Sequence, residues 1–274
     1  MSGWNMDAKI IVTGASGSMG AAAVEALARQ GRPVVMACRN AEKAGKVRAD
    51  ICARVPGARL EIKELELSSM ASVRDFAAAF GPGEVAALFN NAGVISRGYA
   101  LTADGLEHSF AVNYFGPFLL TELLLPALVE DARIVNMVSL TCRFAKISPE
   151  GLRPAEKDFS RLGTYAESKL ALLHFSQELA RRHPCLRVNV ADPGIVDSNM
   201  IAMGKWFDPL ADLLFRPFCR KPEKGVKPAL AALDAEDGGR YFVGRRSGPI
   251  PARYRDPALQ ERLWRATEEI LSGM

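Results

Sequence analysis

The stretch Val12–Gly20, VTGASGSMG, lies between an apolar run, Ala8–Val12 (AKIIV), and an alanine-rich stretch, Ala21–Gly31 (AAAVEALARQG). Gly14, Gly17 and Gly20 fall three residues apart. Where a strand ends and a helix begins, unpaired N–H groups and the positive end of the helix dipole form a site for phosphate. Glycines there permit a tight turn, close approach of the backbone to a pyrophosphate, and close packing of helix on strand. The alternative is a purely structural turn. What surrounds the loop decides between them.

Strands and helices alternate outward from it. Lys9–Gly14 reads as a strand and Met19–Gly31 as a helix closed by Gly31. Pro33–Arg39, Arg59–Leu67, Val85–Gly93, Arg133–Ser139 and Leu186–Gly194 read as further strands. Between them lie helices over Asn40–Gly57, Met70–Gly81, Gly105–Glu130 and Tyr165–Arg182. Short apolar strands alternating with helices predict an α/β fold: a single doubly wound Rossmann domain over residues 1–274, its parallel sheet covered on both faces. The part after Gly194 reads as a loop-and-helix appendage, and Asp256–Gly273 as an amphipathic closing helix.

In such a fold the second strand ends where an adenosine ribose is read. An acidic residue there would bond the ribose hydroxyls and repel a 2′-phosphate. This strand ends in Cys38 and Arg39, and a guanidinium can fork onto phosphate. The pattern favours NADP(H) over NAD(H), a solvated surface arginine being the competing explanation.

Tyr165 and Lys169 lie four apart on a predicted helix and so share a face. Of the five tyrosines, only Tyr165 has lysine at that spacing. Ser139 ends a strand at the same sheet edge as the glycine loop. A phenol with a pKa of about 10 is a poor acid or base near neutrality. A neighbouring ammonium and an oxidised nicotinamide would bring it toward the useful range.

Together TGASGSMG, NNAG (Asn90–Gly93), VNYFG with Asn113, Ser139, YAESK and DPGIVDS resemble the short-chain dehydrogenase/reductase family over nearly the whole chain. The segment ACRN and the length between Ser139 and Tyr165 resemble its retinol-dehydrogenase-like branch, which acts on bulky apolar carbonyls and alcohols. The resemblance implies Tyr165 as general acid/base, with Lys169 lowering its pKa and holding the nicotinamide ribose. It implies Ser139 orienting the substrate oxygen and Asn113 anchoring a water of a proton relay. Gly14, Ser16, Gly17, Ser18, Met19 and Gly20 would hold the pyrophosphate, and Arg39 the 2′-phosphate. Glu66 and Leu67 would meet the adenine, and Asn90, Ala92 and Gly93 the adenosine side. Pro193, Gly194 and Ile195 would meet the carboxamide, with Ser198 nearby where the family usually has threonine. Family members usually pair through two helices, here around Phe115–Leu128 and Tyr165–Arg182, so a homodimer or homotetramer is expected.

Two departures stand out. The branch usually has TGxxxGxG, which would place glycine at position 18; here Ser18 stands there and the glycine is Gly17. That spacing is the one found in sugar-nucleotide epimerases and dehydratases, which are longer. The second is Glu66, where the family usually has aspartate.

Composition bounds the rest. The chain has 274 residues, 49% of them apolar, and a formal net charge of +4, too weak to point to nucleic acid. Its five cysteines are scattered and do not cluster with the three histidines, so no metal site is expected and reduced thiols in a cytoplasm are. No signal peptide or transmembrane segment is expected, since the apolar stretches are interrupted before spanning length.

After Ser198, the apolar face of Met200, Met203, Trp206, Phe207, Leu210, Leu213 and Leu214 reads either as a substrate lid over 199–227 or as core packing. Arg216, Arg220, Lys221, Lys224 and Lys227 read as a solvated face; lid and basic stretch together could also touch a membrane surface. The expected activity is NADP(H)-dependent interconversion of a carbonyl and an alcohol on a small molecule with a bulky apolar body: retinoid, steroid, quinone, aryl ketone or acyl thioester. The alternatives are an NADP-binding sensor or scaffold and an epimerase or dehydratase.

Overall fold

A computed structural model describes residues 7–194, 221–244 and 246–274. Eight strands among these form one sheet: β1 (Lys9–Thr13), β2 (Val34–Cys38), β3 (Leu60–Glu64), β4 (Val85–Asn90), β5 (Leu128–Met137), β6 (Arg187–Asp192), β7 (Arg240–Val243) and β8 (Arg246–Pro249). The spatial order is β3-β2-β1-β4-β5-β6-β7-β8, parallel throughout except for the antiparallel β7–β8 pair. From β1 the chain runs outward to β2 and β3, then returns to β4 on the other side. That reversal opens a crevice at the carboxyl ends of β1 and β4, where open α/β sheets bind ligands.

The helices are α1 (Ser18–Arg29), α2 (Ala41–Arg54), α3 (Met70–Ala78), α4 (His108–Ala127), α5 (Arg161–Arg182), α6 (Lys227–Asp234) and α7 (Pro257–Ser272). Alternation along β1 shows how the two layers form. Ile10 and Val12 pack with Ala23, Val24 and Leu27 of α1 on one face. Ile11 turns to the other, into the core shared by Phe110, Phe115, Leu172 and Trp264.

The structure departs most from the sequence expectation in three places. Helix α4 ends at Ala127, and Leu128–Glu130 open β5 instead. The junction falls at Leu125–Pro126, where a 3₁₀ turn tightens the helix end. Helix α5 starts at Arg161, capped by Ser160, whose hydroxyl accepts from Gly163 N at 3.3 Å. β7 and β8 lie in the part read as loop and helix; each is four residues long and only Phe242 of β7 is buried, too little for an alternating signal.

Helix α4 also corrects the reading of apolar stretches. It is 20 residues long and apolar enough by composition to cross a membrane, with 78% of its apolar window buried inside the fold. It is apolar all round because the sheet lies on one side and α5 and α7 on the others. Its middle, Ala111–Phe115, is a π-helical turn that carries Asn113.

Candidate active site

The glycine loop follows β1 directly. Gly14 has φ +63°, and a Cβ there would stand 3.0 Å from Ala92 Cα. A Cβ on Gly20 would collide with the Gly14 carbonyl oxygen. Both positions therefore require glycine. Gly17 caps α1 with ordinary extended backbone (φ −79°, ψ 165°), and no side chain caps the helix. Ser18 is the exposed first residue of α1, so a side chain fits where the branch has glycine. Its first-turn N–H groups border a cavity of about 550 Å³ lined by Gly14–Gly20 except Ala15, by Arg39, Asn40 and Lys43, by Leu65–Leu67, and by Asn91–Val94. That size suits a cofactor.

Arg39 lies at this cavity with its Nε 3.3 Å from Glu66 Oε2. The Glu66 carboxylate also accepts from Ser68 N at 3.0 Å and Ser68 Oγ at 2.7 Å. Burial works to raise its pKa, but these hydrogen bonds and the Arg39 charge bring it below the usual carboxylate range. The longer side chain at this position thus joins a local polar cluster rather than standing free. Lys43, in the first turn of α2, is a second cation on the cavity. Sequence reasoning missed it; its signal was a basic residue one helical turn after Arg39.

Of the NNAG run, Ala92 and Gly93 line the cavity and Asn90 does not. Asn90 is 1% exposed, and its amide donates to Asn136 Oδ1 at 2.8 Å and Thr121 Oγ1 at 3.3 Å inside the core. The asparagine on the cavity is Asn91, fixed by its donation to the Thr13 carbonyl at 2.8 Å. Thr13 Oγ1 accepts from the N–H groups of Asn91 and Ala92, both at 3.0 Å, tying this turn to β1. Both residues are ordinary in sequence, and only the β1–β4 pairing brings them together.

At the neighbouring strand ends, Ser139 follows β5 and caps a 3₁₀ turn, Leu140–Phe144. Its hydroxyl accepts from Thr141 N at 3.2 Å and Thr141 Oγ1 at 3.0 Å. Tyr165 and Lys169 sit one turn apart on α5. Burial pushes the Tyr165 phenol up to about 12, with Ser139 acting to lower it and Cys142 and Asp192 to raise it. This reverses the direction expected from Lys169. Lys169, 2% exposed, donates from Nζ to the Met137 carbonyl at 2.9 Å, and burial brings its pKa down to about 8. Asn113 Oδ1 accepts from Val94 N at 2.8 Å, while its amide donates to Val94 O at 2.9 Å and Ser168 Oγ at 3.0 Å. Gly93 faces both groups: a Cβ there would lie 3.2 Å from Lys169 Nζ and 3.4 Å from Asn113 Oδ1.

Pro193 and Gly194 extend from β6; Gly194 has φ +72°, and its N–H donates to Asp192 Oδ1 at 2.8 Å. Ile195, Ser198, Cys219 and the lid's apolar face lie outside the described residues. Lys221, Lys224 and Lys227 are exposed, as a solvated face requires. No group of three or more potential metal ligands occurs among the described residues.

The family profile described as short chain dehydrogenase matches residues 8–205. Retinol dehydrogenase 12 of Mus musculus is 35% identical over 272 residues, covering 96% of this chain and 85% of the relative. Retinol dehydrogenase 13 of Homo sapiens is 32% identical, with 93% of this chain and 82% of that protein covered. Among solved structures, an uncharacterised protein from Mycobacterium paratuberculosis superposes with a TM-score of 0.80 at 29% identity, covering 98% of this chain and 96% of that one. A short-chain dehydrogenase from Sphingobium yanoikuyae in complex with NADPH shares the fold, with a TM-score of 0.66 at 20% identity, covering 97% and 96%. With strand order, open helix terminus and Ser–Tyr–Lys cluster all in place, this chain belongs to the short-chain dehydrogenase/reductase family, in its retinol-dehydrogenase-like branch.

Proposed function

We propose that the protein interconverts a carbonyl and an alcohol on a bulky apolar substrate, with NADP(H) as cofactor and Tyr165 as the acid/base. The observation that carries this reading is the convergence of Ser139, Tyr165 and Lys169 at the strand ends beside the Gly14–Gly20 cavity. A bound nicotinamide dinucleotide supplies or accepts hydride; the chain's residues hold it and manage the proton. The α1 terminus and Gly14 suit the pyrophosphate, and Arg39 with Lys43 suits a 2′-phosphate. Lys169 Nζ and the Asn113 carboxamide, both beside Gly93, suit the nicotinamide ribose end.

In the reductive direction, Ser139 orients the carbonyl oxygen, and the Tyr165 hydroxyl gives it a proton as negative charge develops there. The raised pKa of the free site keeps that hydroxyl protonated and ready to donate. In the oxidative direction the phenol must first ionise, which a positive nicotinamide and the Lys169 ammonium favour. Apolar side chains support the substrate class: Phe144, at the end of the turn from Ser139, is 82% exposed, and Leu162, three residues before Tyr165, is 65% exposed. The retinol dehydrogenases similar to this chain add weight to a retinoid-like alcohol or aldehyde. A panel of apolar aldehydes, ketones and alcohols, followed by NADPH absorbance with purified protein, tests the reading. Turnover of retinoid, steroid or aryl carbonyls supports it, and binding of NADPH without turnover of any of them would favour a sensor or scaffold.

A further inference from the structure

Asp192 ends β6 and is 1% exposed. In the β5–β6 register Met137 pairs with Ala191, and Val138 N donates to the Ala191 carbonyl at 2.9 Å. Asp192 therefore stands level with Val138, one residue short of Ser139. It shares a strand face with Val190, which lies in one apolar cluster with Cys142 and Leu170 of α5, Tyr241 of β7 packing against them. One carboxylate oxygen of Asp192 accepts from Gly194 N at 2.8 Å and the other from the Tyr241 hydroxyl at 3.0 Å. The first bond closes a turn through Pro193 in which Gly194 has φ +72°.

That turn does not require a charge. An asparagine would accept from Gly194 equally well, and its amide can donate to the Tyr241 oxygen. Taking a charged group out of water is costly unless it is paired, and both donors to Asp192 among the described residues are uncharged. Departures of this kind gather at functional sites. The titratable groups around Asp192 are Tyr241 of β7 with Tyr254 behind it, Cys142 of the turn after β5, and Tyr165 of α5, with Lys169 held at the neighbouring Met137 carbonyl. Burial, then the Asp192 charge, pushes the Tyr241 phenol up, so it stays a neutral donor. Burial pushes the Cys142 thiol up to about 12, so it too is neutral. Asp192 is thus the negative charge acting on the Tyr165 phenol near neutrality.

We propose that Asp192 is a positioning residue that poises the site for reduction: its carboxylate holds the Gly194 turn, and its fixed negative charge keeps the Tyr165 hydroxyl a proton donor. This rests on the proposed carbonyl–alcohol chemistry and gives it a direction. A nearby negative charge disfavours a phenolate. It therefore favours the form in which Tyr165 can give its proton to the carbonyl oxygen as hydride reaches the carbonyl carbon. The reverse step needs the phenol already ionised, and the same charge moves it to higher pH.

Carbon NMR of ring-labelled tyrosines in the full chain, without cofactor, tests this, with Tyr165→Phe identifying the signal. Asp192→Asn keeps the side chain's shape and removes its charge. Tyr165 should then begin to ionise about one pH unit below the wild type, and the pH profile of alcohol oxidation should move the same way. Tyr241→Phe keeps the charge and removes one donor, so Tyr165 should ionise at the wild-type pH or higher. An Asp192→Asn protein whose Tyr165 ionises no earlier than the wild type would overturn the proposal. So would a Tyr241→Phe protein whose Tyr165 ionises as early as in Asp192→Asn, since loosened packing would then explain both. If Asp192→Asn does not fold, Tyr241→Phe decides alone, and any fall in its Tyr165 ionisation overturns the proposal. The titration is made on the free protein, so an absence of carbonyl turnover would sink the reaction assignment separately.

Discussion

At the scale of residues, the site separates groups that line the cavity from groups that hold those in place. Arg39 and Lys43 both line the cavity, and Arg39 is held by Glu66 rather than by packing. Removing the charge should discriminate between cofactors. For Arg39→Ala, NADPH affinity should fall roughly ten- to over a hundredfold, the size of a charge-assisted contact to phosphate, with NADH affected far less. Lys43→Ala should give a smaller loss in the same direction. Calorimetric titration of both cofactors checks this, and equal wild-type affinity for NADPH and NADH would reject it. The candidate acid/base was readable from the spacing of Tyr165 and Lys169, but its pKa was not. In the free site burial raises it, with Ser139 opposing, and burial belongs to the fold. Asn90 shows the same limit: its motif is intact, yet the β4–β5 pairing turns its amide toward Asn136.

At the scale of elements, the β1–α1 turn explains which glycines matter. The turn keeps its shape with the shifted spacing, because the obligatory positions are Gly14, with positive φ, and Gly20, which abuts the Gly14 carbonyl. Ser18→Gly should leave NADPH affinity nearly unchanged, whereas Gly20→Ala should destabilise the fold by about 1–3 kcal/mol through overpacking and weaken the cofactor. Thermal melts with and without NADPH measure both effects. The α4–α7 contact carries a titratable group. Glu122 on α4 has its pKa pushed up to about 7 by burial, then by Glu268 on α7, with Arg182 on α5 opposing. Its charge is therefore disfavoured in the folded state. The associated stability is full below the ordinary carboxylate value of 4.5 and is lost as pH rises through about 7. Glu122→Gln should flatten the melting temperature between roughly pH 5 and pH 8, and an unaltered pH profile would refute the contribution. Helix and strand order was readable from periodicity because each element buries one clear face. β7 and β8 were not, since four residues at a sheet edge carry no period.

At the scale of the whole molecule, the parallel sheet gathers residues distant in sequence onto one edge: the glycine loop, Arg39, Gly93, Ser139, the Tyr165–Lys169 turn and Gly194. Their placement could be anticipated because these groups lie at strand and helix ends that the alternating pattern locates. The role of α7 could not, because an amphipathic closing helix does not say which groove it fills. The central claim is that this edge transfers a proton through one phenol, and a single comparison tests it most directly. Reduction of a good apolar carbonyl substrate by NADPH is followed for the wild type and for Tyr165→Phe, with NADPH affinity measured on both. The variant loses one hydroxyl and keeps the ring, so affinity should hardly change while turnover falls by roughly 10²–10⁴, the loss expected for a general acid. Near-normal turnover by Tyr165→Phe would contradict the account.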